Sequence, residues 1–259
     1  MTKKLDTIGN DETPTQKNGK RKAFIAFVLD ESGSMNTGRE ATITGMNEQI
    51  QQIRETFKDS QDVEPIVTFV KFNGNVNPLY VNKTLAELKD FGPNDYSPNG
   101  MTAMYDGVGY VLNALENADG INDEDTSVLV VVISDGVENS SVEHNAQTIA
   151  DRVKAFNDTK RWTFTYLGSN VDLTQVRAQT GFVAGNSISY DSSSAGGYAQ
   201  AFNTHNASFR TYLSTRNVSA SVLRASAGLG EVNFYAPTTN SATVASTDAI
   251  LDNKTDAKA

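Results

Sequence analysis

The sequence predicts an α/β fold with a doubly wound, mostly parallel central sheet, one antiparallel edge strand and helices on both faces. Apolar runs typical of strands alternate along the chain with segments of helical periodicity. The runs at residues 23–29 and 128–133 are apolar throughout. Strands that are apolar on both faces belong inside a sheet that helices cover on each side. Such alternation favours parallel neighbours.

The first strand, turn and helix are the clearest of these units. Ala23–Leu29 is a continuous apolar run that ends in polar residues and glycine, as expected for a buried strand. Apolar residues then recur at steps of three and four, which predicts an amphipathic helix over residues 39–57. Pro65–Phe72 is predicted as a second strand, and Asn73-Gly74 favours a tight hairpin into an antiparallel third strand at 76–81.

The later predicted elements continue the same alternation. They are a helix at residues 108–115, a central strand at 128–133, a helix at 146–156, a strand at 162–167, a short strand at 188–190 and a closing helix at 198–213. The strand at 128–133 is placed at the centre because it is the most β-branched run in the chain.

The pattern divides the chain into three parts. Residues 1–22 are polar and basic without periodicity, and we expect a disordered N-terminal segment. Residues 23–214 are expected to form one folded domain. Residues 215–259 are rich in Ser, Thr, Ala and Asn, and we expect a polar, largely disordered tail. Its one apolar island, Val232–Tyr235, either packs on the domain or serves as a docking segment.

Composition narrows the classes of function. The chain has no cysteine and two histidines, which excludes disulfides and thiolate metal sites and favours oxygen ligands. Its net charge of −9 opposes binding to nucleic acid phosphates. No stretch has the length and apolarity of a membrane span, and the N-terminus does not resemble a signal peptide. We therefore expect a cytoplasmic protein that binds neither nucleic acid nor a membrane.

Oxygen-bearing side chains follow two of the predicted strands and precede one helix. Asp30, Ser32 and Ser34 come directly after the first strand, Asp135 follows the central strand, and Thr102 precedes the next helix. The carboxyl ends of strands carry the ligand-binding loops in open α/β sheets. If the three loops converge, three hydroxyls and two carboxylates surround one point. Such a set suits a hard cation, above all Mg²⁺.

These segments resemble the signature of a known family. Residues 30–34 are Asp-Glu-Ser-Gly-Ser, residues 100–103 are Gly-Met-Thr-Ala, and residues 133–136 are Ile-Ser-Asp-Gly. Together they are similar to the metal ion-dependent adhesion site of von Willebrand factor A (VWA) domains, over residues 24–213. Because it has neither cysteine nor a signal peptide, the chain is similar to bacterial or phage members of the family, and we expect it in the cytoplasm of a bacterial cell or a phage-infected host.

The resemblance implies a Rossmann-like VWA fold and a specific division of roles. Ser32, Ser34 and Thr102 would ligate Mg²⁺ or Mn²⁺ directly, while Asp30 and Asp135 would act through water. The family's function implies a divalent-cation-dependent protein-binding module whose ion accepts an Asp or Glu side chain from a protein partner. We expect no enzymatic activity.

Other interpretations stay open at this point. The chain could be a structural or assembly protein, phage-encoded or not, in which a metal only stabilises the loops. A metal-assisted phosphohydrolase is a weaker alternative, because the sequence lacks the nucleophile and nucleotide-binding motifs of common hydrolases and kinases. The hydroxyls of Ser34, Thr37 and Thr102 could instead cap helices. We expect Glu31 to be a solvated rim residue, and Asp106 either to support the site or to lie on a helix surface.

Overall fold

The structure, a computed structural model, describes residues 19–169, 173–218 and 233–235. The strands are β1 (Arg21–Asp30), β2 (Val63–Phe72), β3 (Val76–Thr84), β4 (Ser127–Ser134), β5 (Trp162–Ser169) and β6 (Ser187–Tyr190). The α-helices are α1 (Arg39–Phe57), α2 (Met104–Glu116), α3 (Ala146–Asp158), α4 (Leu173–Thr180) and α5 (Ala195–Arg216). Every strand and helix predicted from the sequence is present.

The strands form one sheet in the order β3-β2-β1-β4-β5-β6. All neighbouring strands are parallel except β2 and β3, which pair antiparallel at one edge. From β1 the chain adds β2 and β3 on one side, and it then crosses to the other side of β1, where it adds β4, β5 and β6. The predicted fold class is therefore confirmed.

Helices cover both faces of the sheet, and β1 supplies side chains to each. Ile25, Phe27 and Leu29 pack with residues of α1 and α5 on one face. Phe24 and Val28 pack with residues of α2 and α3 on the other. The strand is apolar throughout because both of its faces are buried.

Helix α4 was not identified from the sequence. It has eight residues, of which only Val176 and Thr180 are buried. Its apolar contacts with the core come from Val176 and the partly buried Leu173, which are too few to show the repeating spacing on which a helical prediction depends.

The folded part of the chain extends slightly past both boundaries expected from the sequence. Strand β1 begins at Arg21, and α5 runs to Arg216. The two ends are joined, because Arg21 Nε donates a hydrogen bond to the carbonyl oxygen of Val218 at 2.8 Å. Most of the two segments expected to be disordered lies outside the described residues. No helix in the described ranges has the length and apolarity needed to cross a membrane.

Three residues of the C-terminal segment, Asn233–Tyr235, pack on the domain, and we call them the aromatic anchor. The Phe234 side chain is 4% exposed, and its backbone N–H donates to Asn186 Oδ1 at 2.7 Å. The Tyr235 N–H donates to the Gly185 carbonyl at 3.1 Å, and its hydroxyl lies 2.8 Å from His205 Nδ1. For Phe234 and Tyr235, packing on the domain is the one observed of the two interpretations, while Val232 lies outside the described residues.

Candidate metal centre

The carboxyl ends of β1 and β4 lie side by side where the winding direction of the sheet reverses. At such a switch point the loops that follow the two central strands diverge to opposite faces and leave a crevice between them. Strand β1 ends at Asp30 and β4 ends at Ser134, directly before Asp135. The topology therefore brings the two predicted carboxylates to the same crevice.

Asp30 lies at the bottom of this crevice and is fully inaccessible to solvent. Its Oδ1 accepts a hydrogen bond from the Ser32 N–H at 2.7 Å, and its Oδ2 accepts one from Ser134 Oγ at 2.6 Å. Burial raises the pKa of Asp30 from 3.8 to about 6, although the hydrogen bonds from Ser134 and Ser32 oppose the shift. The carboxylate is thus held in one orientation but is destabilised as an anion.

The other predicted residues converge above Asp30. The hydroxyls of Ser32 and Ser34 lie 3.1 Å apart, and Ser34 Oγ donates to Asp135 Oδ1 at 2.5 Å. Thr102 borders the same space. A β-carbon added at Gly136 would lie 3.1 Å from Thr102 Oγ1 and 3.6 Å from Ser34 Oγ. The structure therefore brings all five predicted residues together, around a space that a larger side chain at position 136 would fill.

Helix capping does not account for the three hydroxyl residues. Helix α1 begins after Gly38 and α2 begins after Ala103, and neither start has a side-chain cap. At the start of α2, Glu138 Oε2 accepts a hydrogen bond from the Tyr105 N–H at 3.0 Å. The hydroxyls of Ser34, Thr37 and Thr102 are therefore not used as caps.

Glu31 is buried, and its expected position as a solvated rim residue was wrong. One oxygen of its carboxylate accepts hydrogen bonds from Lys71 Nζ at 2.8 Å and from the Ser97 N–H at 2.7 Å. Its backbone carbonyl also accepts from the Asn99 N–H at 2.8 Å. Glu31 thus holds the loop before Thr102 against the first strand.

Two further carboxylates organise the loop that follows Asp135. Asp106 accepts hydrogen bonds from the N–H groups of Val142, Glu143 and His144, at 2.8, 3.0 and 2.8 Å. Glu138 accepts from the N–H groups of residues 140 and 141, at 2.9 and 2.7 Å. Of the two roles left open for Asp106, support of the site is the one observed.

Asn139 links this loop directly to Thr102. Its side-chain oxygen accepts from the Thr102 N–H at 2.9 Å, and its own N–H donates to the Thr102 carbonyl at 3.0 Å. These hydrogen bonds join two of the loops around the crevice to each other.

Tyr198 of α5 completes the site and was not identified from the sequence. Its hydroxyl donates to Asp135 Oδ2 at 2.5 Å. The ring packs so closely on the loop before α1 that a β-carbon at Gly38 would lie 2.3 Å from it. No local pattern relates a tyrosine on the last helix to an aspartate 63 residues earlier. Asp135 is therefore fixed by Ser34 on one oxygen and by Tyr198 on the other.

Replacing Tyr198 with phenylalanine is expected to weaken divalent-cation binding about tenfold, the lower end of the range for residues that orient a ligand. The free energy of unfolding should fall by only about 1 to 2 kcal/mol, because the hydroxyl's hydrogen bonds with Asp135 and Ser192 are lost while the ring remains. Calorimetric titration with Mg²⁺ and urea denaturation would measure the two effects. Tyr80→Phe on strand β3 is the matched control. Equal Mg²⁺ affinity in the two variants would show that the Tyr198 hydroxyl does not support cation binding.

The donor set of the crevice fits a hard divalent cation. It consists of three hydroxyls and two carboxylates, and no sulfur or imidazole takes part. The described ranges contain no cluster of three or more His, Asp or Glu side chains that could hold a metal ion without the help of hydroxyl groups. Mg²⁺ in proteins takes oxygen ligands, retains several waters and usually has one or two carboxylates nearby. The residues present match that demand better than that of Zn²⁺, which prefers nitrogen and sulfur.

The fold and the crevice together define a class: a doubly wound α/β domain with an oxygen-only cation site at the switch point of its sheet. The family model for the von Willebrand factor type A domain matches residues 25–195. The chain therefore belongs to the von Willebrand factor type A domain family. Domains of this family typically bind proteins at a metal ion-dependent adhesion site, which implies a divalent cation here.

Several solved structures share this fold at low sequence identity. Proximal thread matrix protein 1 from the mussel byssus is 14% identical, with a TM-score of 0.54, over 75% of this chain and 47% of that one. The pilus adhesin SpaC from Lactobacillus rhamnosus GG is 14% identical, with a TM-score of 0.54, over 76% of this chain and 32% of that one. The PilB minor pilin from Streptococcus sanguinis is 12% identical, with a TM-score of 0.50, over 76% and 63%.

These similarities show the fold alone. The chain spans about half the length of the byssus protein and about a third of the adhesin. A search of curated proteins found no match.

Proposed function

We propose that the chain is a protein-binding module that depends on a divalent cation, Mg²⁺ or Mn²⁺, at Asp30, Ser32, Ser34, Thr102 and Asp135. The bound ion would accept an Asp or Glu side chain from a protein partner. The observation that carries the proposal is the convergence of three hydroxyls, none of which caps a helix, and two oriented carboxylates on one crevice.

The charge balance of the crevice suits capture of an outside carboxylate. The three hydroxyls are neutral and the two carboxylates would act through water, so a bound cation stays electrophilic and can attract an anionic ligand. The protein carries a net charge of −9 and would otherwise repel an acidic partner. Ser34 and Tyr198 hold Asp135, and Ser134 holds Asp30, so the polar groups are oriented before a partner arrives.

The structure favours binding over the alternative in which a metal only stabilises the loops. Glu31, Asp106 and Glu138 already hold the loops through hydrogen bonds that need no ion. A cation would therefore add little to the order of the loops. We expect chelation to remove partner binding while the fold persists.

Capture of partners from host cells tests this function. The immobilised full chain should retain specific proteins in Mg²⁺ and release them in EDTA, with a melting temperature that changes only slightly on chelation. Asp30→Asn should retain far less of them at the same Mg²⁺ concentration, whereas Asp151→Asn, which removes an exposed carboxylate on α3, should behave like the parent chain. A captured partner should lose binding when one of its Asp or Glu residues becomes the amide. Equal capture in Mg²⁺ and in EDTA would contradict the proposal.

A further inference from the structure

Exposed apolar side chains are concentrated on the loops that build the metal centre. In the described ranges, the exposed large hydrophobic residues are Leu79, Met101, Val137 and Val142. The last three belong to these loops, with 53%, 70% and 89% of their surface exposed, and we call them the apolar rim. Single exposed apolar residues are common, but a group around one site is typical of an interaction surface.

The backbone of the apolar rim is held in place. The Val142 N–H donates to Asp106 Oδ2 at 2.8 Å. Met101 precedes Thr102, whose N–H donates to Asn139 Oδ1 at 2.9 Å. Val137 follows Gly136, the residue that borders the hydroxyls of Thr102 and Ser34. A surface that is ordered before binding loses less conformational entropy when a partner docks.

The charges on the same loops limit what can dock there. Residues 31–38, 73–75, 92–102 and 135–145 include no lysine or arginine. Asp95 and Glu143 are exposed on these loops. The basic side chains of Arg39 and Lys71 contact the 92–102 loop, but they are already paired with Glu40 and Glu31. A partner with several carboxylates would therefore be repelled by the exposed acidic groups. A cation in the crevice would be the main attraction for a single carboxylate.

We propose that the metal centre recognises one Asp or Glu whose flanking residues are apolar, with the apolar rim contacting those flanks. This inference rests on the proposed function and specifies the partner segment. The carboxylate supplies attraction to the cation, and the flanking side chains bury Met101, Val137 and Val142. Acidic clusters and an acidic residue among polar neighbours are disfavoured.

Selection from a displayed library of random peptides tests the inference with the full chain. The chain is loaded with Mg²⁺, bound peptides are eluted with EDTA, and the eluted sequences are aligned on their acidic residue. Apolar residues should be enriched on at least one side of it. The comparison is a triple variant, Met101→Ser, Val137→Ser and Val142→Ser, whose changes lie at exposed positions and should leave the fold and the Mg²⁺ affinity unchanged.

The outcomes separate this inference from the proposed function. The triple variant should still require an acidic residue, but its affinity for the apolar-flanked peptides should fall at least about tenfold, as expected for the loss of roughly one buried side chain. Selected peptides with an acidic residue among polar or acidic neighbours would overturn the inference and leave the proposed function intact. Recovery of no EDTA-eluted acidic peptide would overturn both.

Discussion

Replacement of Asp30 by asparagine is expected to weaken cation binding and to stabilise the metal-free protein. The amide oxygen can still accept from the Ser32 N–H, and the amide nitrogen can donate to Ser134 Oγ, so the local structure should persist. Loss of the negative charge should lower Mg²⁺ affinity about 100-fold, the upper end of the range for supporting groups of a metal site. Calorimetric titration with Mg²⁺ measures this loss.

The gain in stability follows from the raised pKa of Asp30. Burial raises this pKa from 3.8 to about 6, so the carboxyl group favours folding most when it is protonated. That contribution is full below pH 3.8 and is lost as the pH rises through about 6. At pH 7 the ionised group therefore costs about 3 kcal/mol, which the asparagine variant avoids.

Urea denaturation in EDTA at pH 4 and pH 7 tests the sign of this effect. The stability difference between Asp30→Asn and the parent chain should be small at pH 4 and largest at pH 7. Asp151→Asn removes an exposed carboxylate and should show no such trend. A variant that is less stable than the parent at pH 7 would show that the Asp30 charge supports the metal-free fold.

Replacement of Phe234 by alanine is expected to lower the free energy of unfolding by about 3 to 5 kcal/mol, as for other buried phenylalanines. The Phe234 ring is 4% exposed, lies 5.2 Å from the His205 ring and 5.9 Å from the Tyr212 ring, and so forms part of the core between α5 and the sheet. Burial lowers the pKa of His205 to about 3, so the histidine is neutral at pH 7 and packs as an aromatic ring.

Val142→Ala is the control for this prediction, because Val142 is 89% exposed and its truncation should change stability by less than about 0.5 kcal/mol. Both variants would be unfolded with urea in EDTA, so that metal binding does not contribute. A loss of less than about 1 kcal/mol for Phe234→Ala would show that the aromatic anchor adds little to the folded domain, in contrast to ordinary core residues.

The sheet and the convergence of the five candidate site residues could be predicted because their signals are local. A strand buried on both faces must be apolar throughout, as in β1 and β4, and the strand ends then identify Asp30 and Asp135 as neighbours in an open sheet. The hairpin at Asn73-Gly74 similarly determines the antiparallel edge strand β3.

The groups that support the site could not be predicted, because they depend on contacts between distant segments. Tyr198 reaches Asp135 from the last helix, and Lys71 neutralises Glu31 from a neighbouring strand. The Phe234 position likewise depends on Asn186, 48 residues earlier in the chain. A single sequence shows the residue types at these positions but not which of them meet in the fold.

Water-proton relaxation with Mn²⁺ tests the central claim most directly, since it reports both the binding of the ion and the water that remains on it. We expect a single Mn²⁺ per chain, with rapidly exchanging water that a carboxylate-bearing partner peptide displaces, and Mn²⁺ binding about 100-fold weaker in Asp30→Asn. Absence of Mn²⁺ binding, or a bound ion without exchangeable water, would contradict a cation site with a position open to a partner.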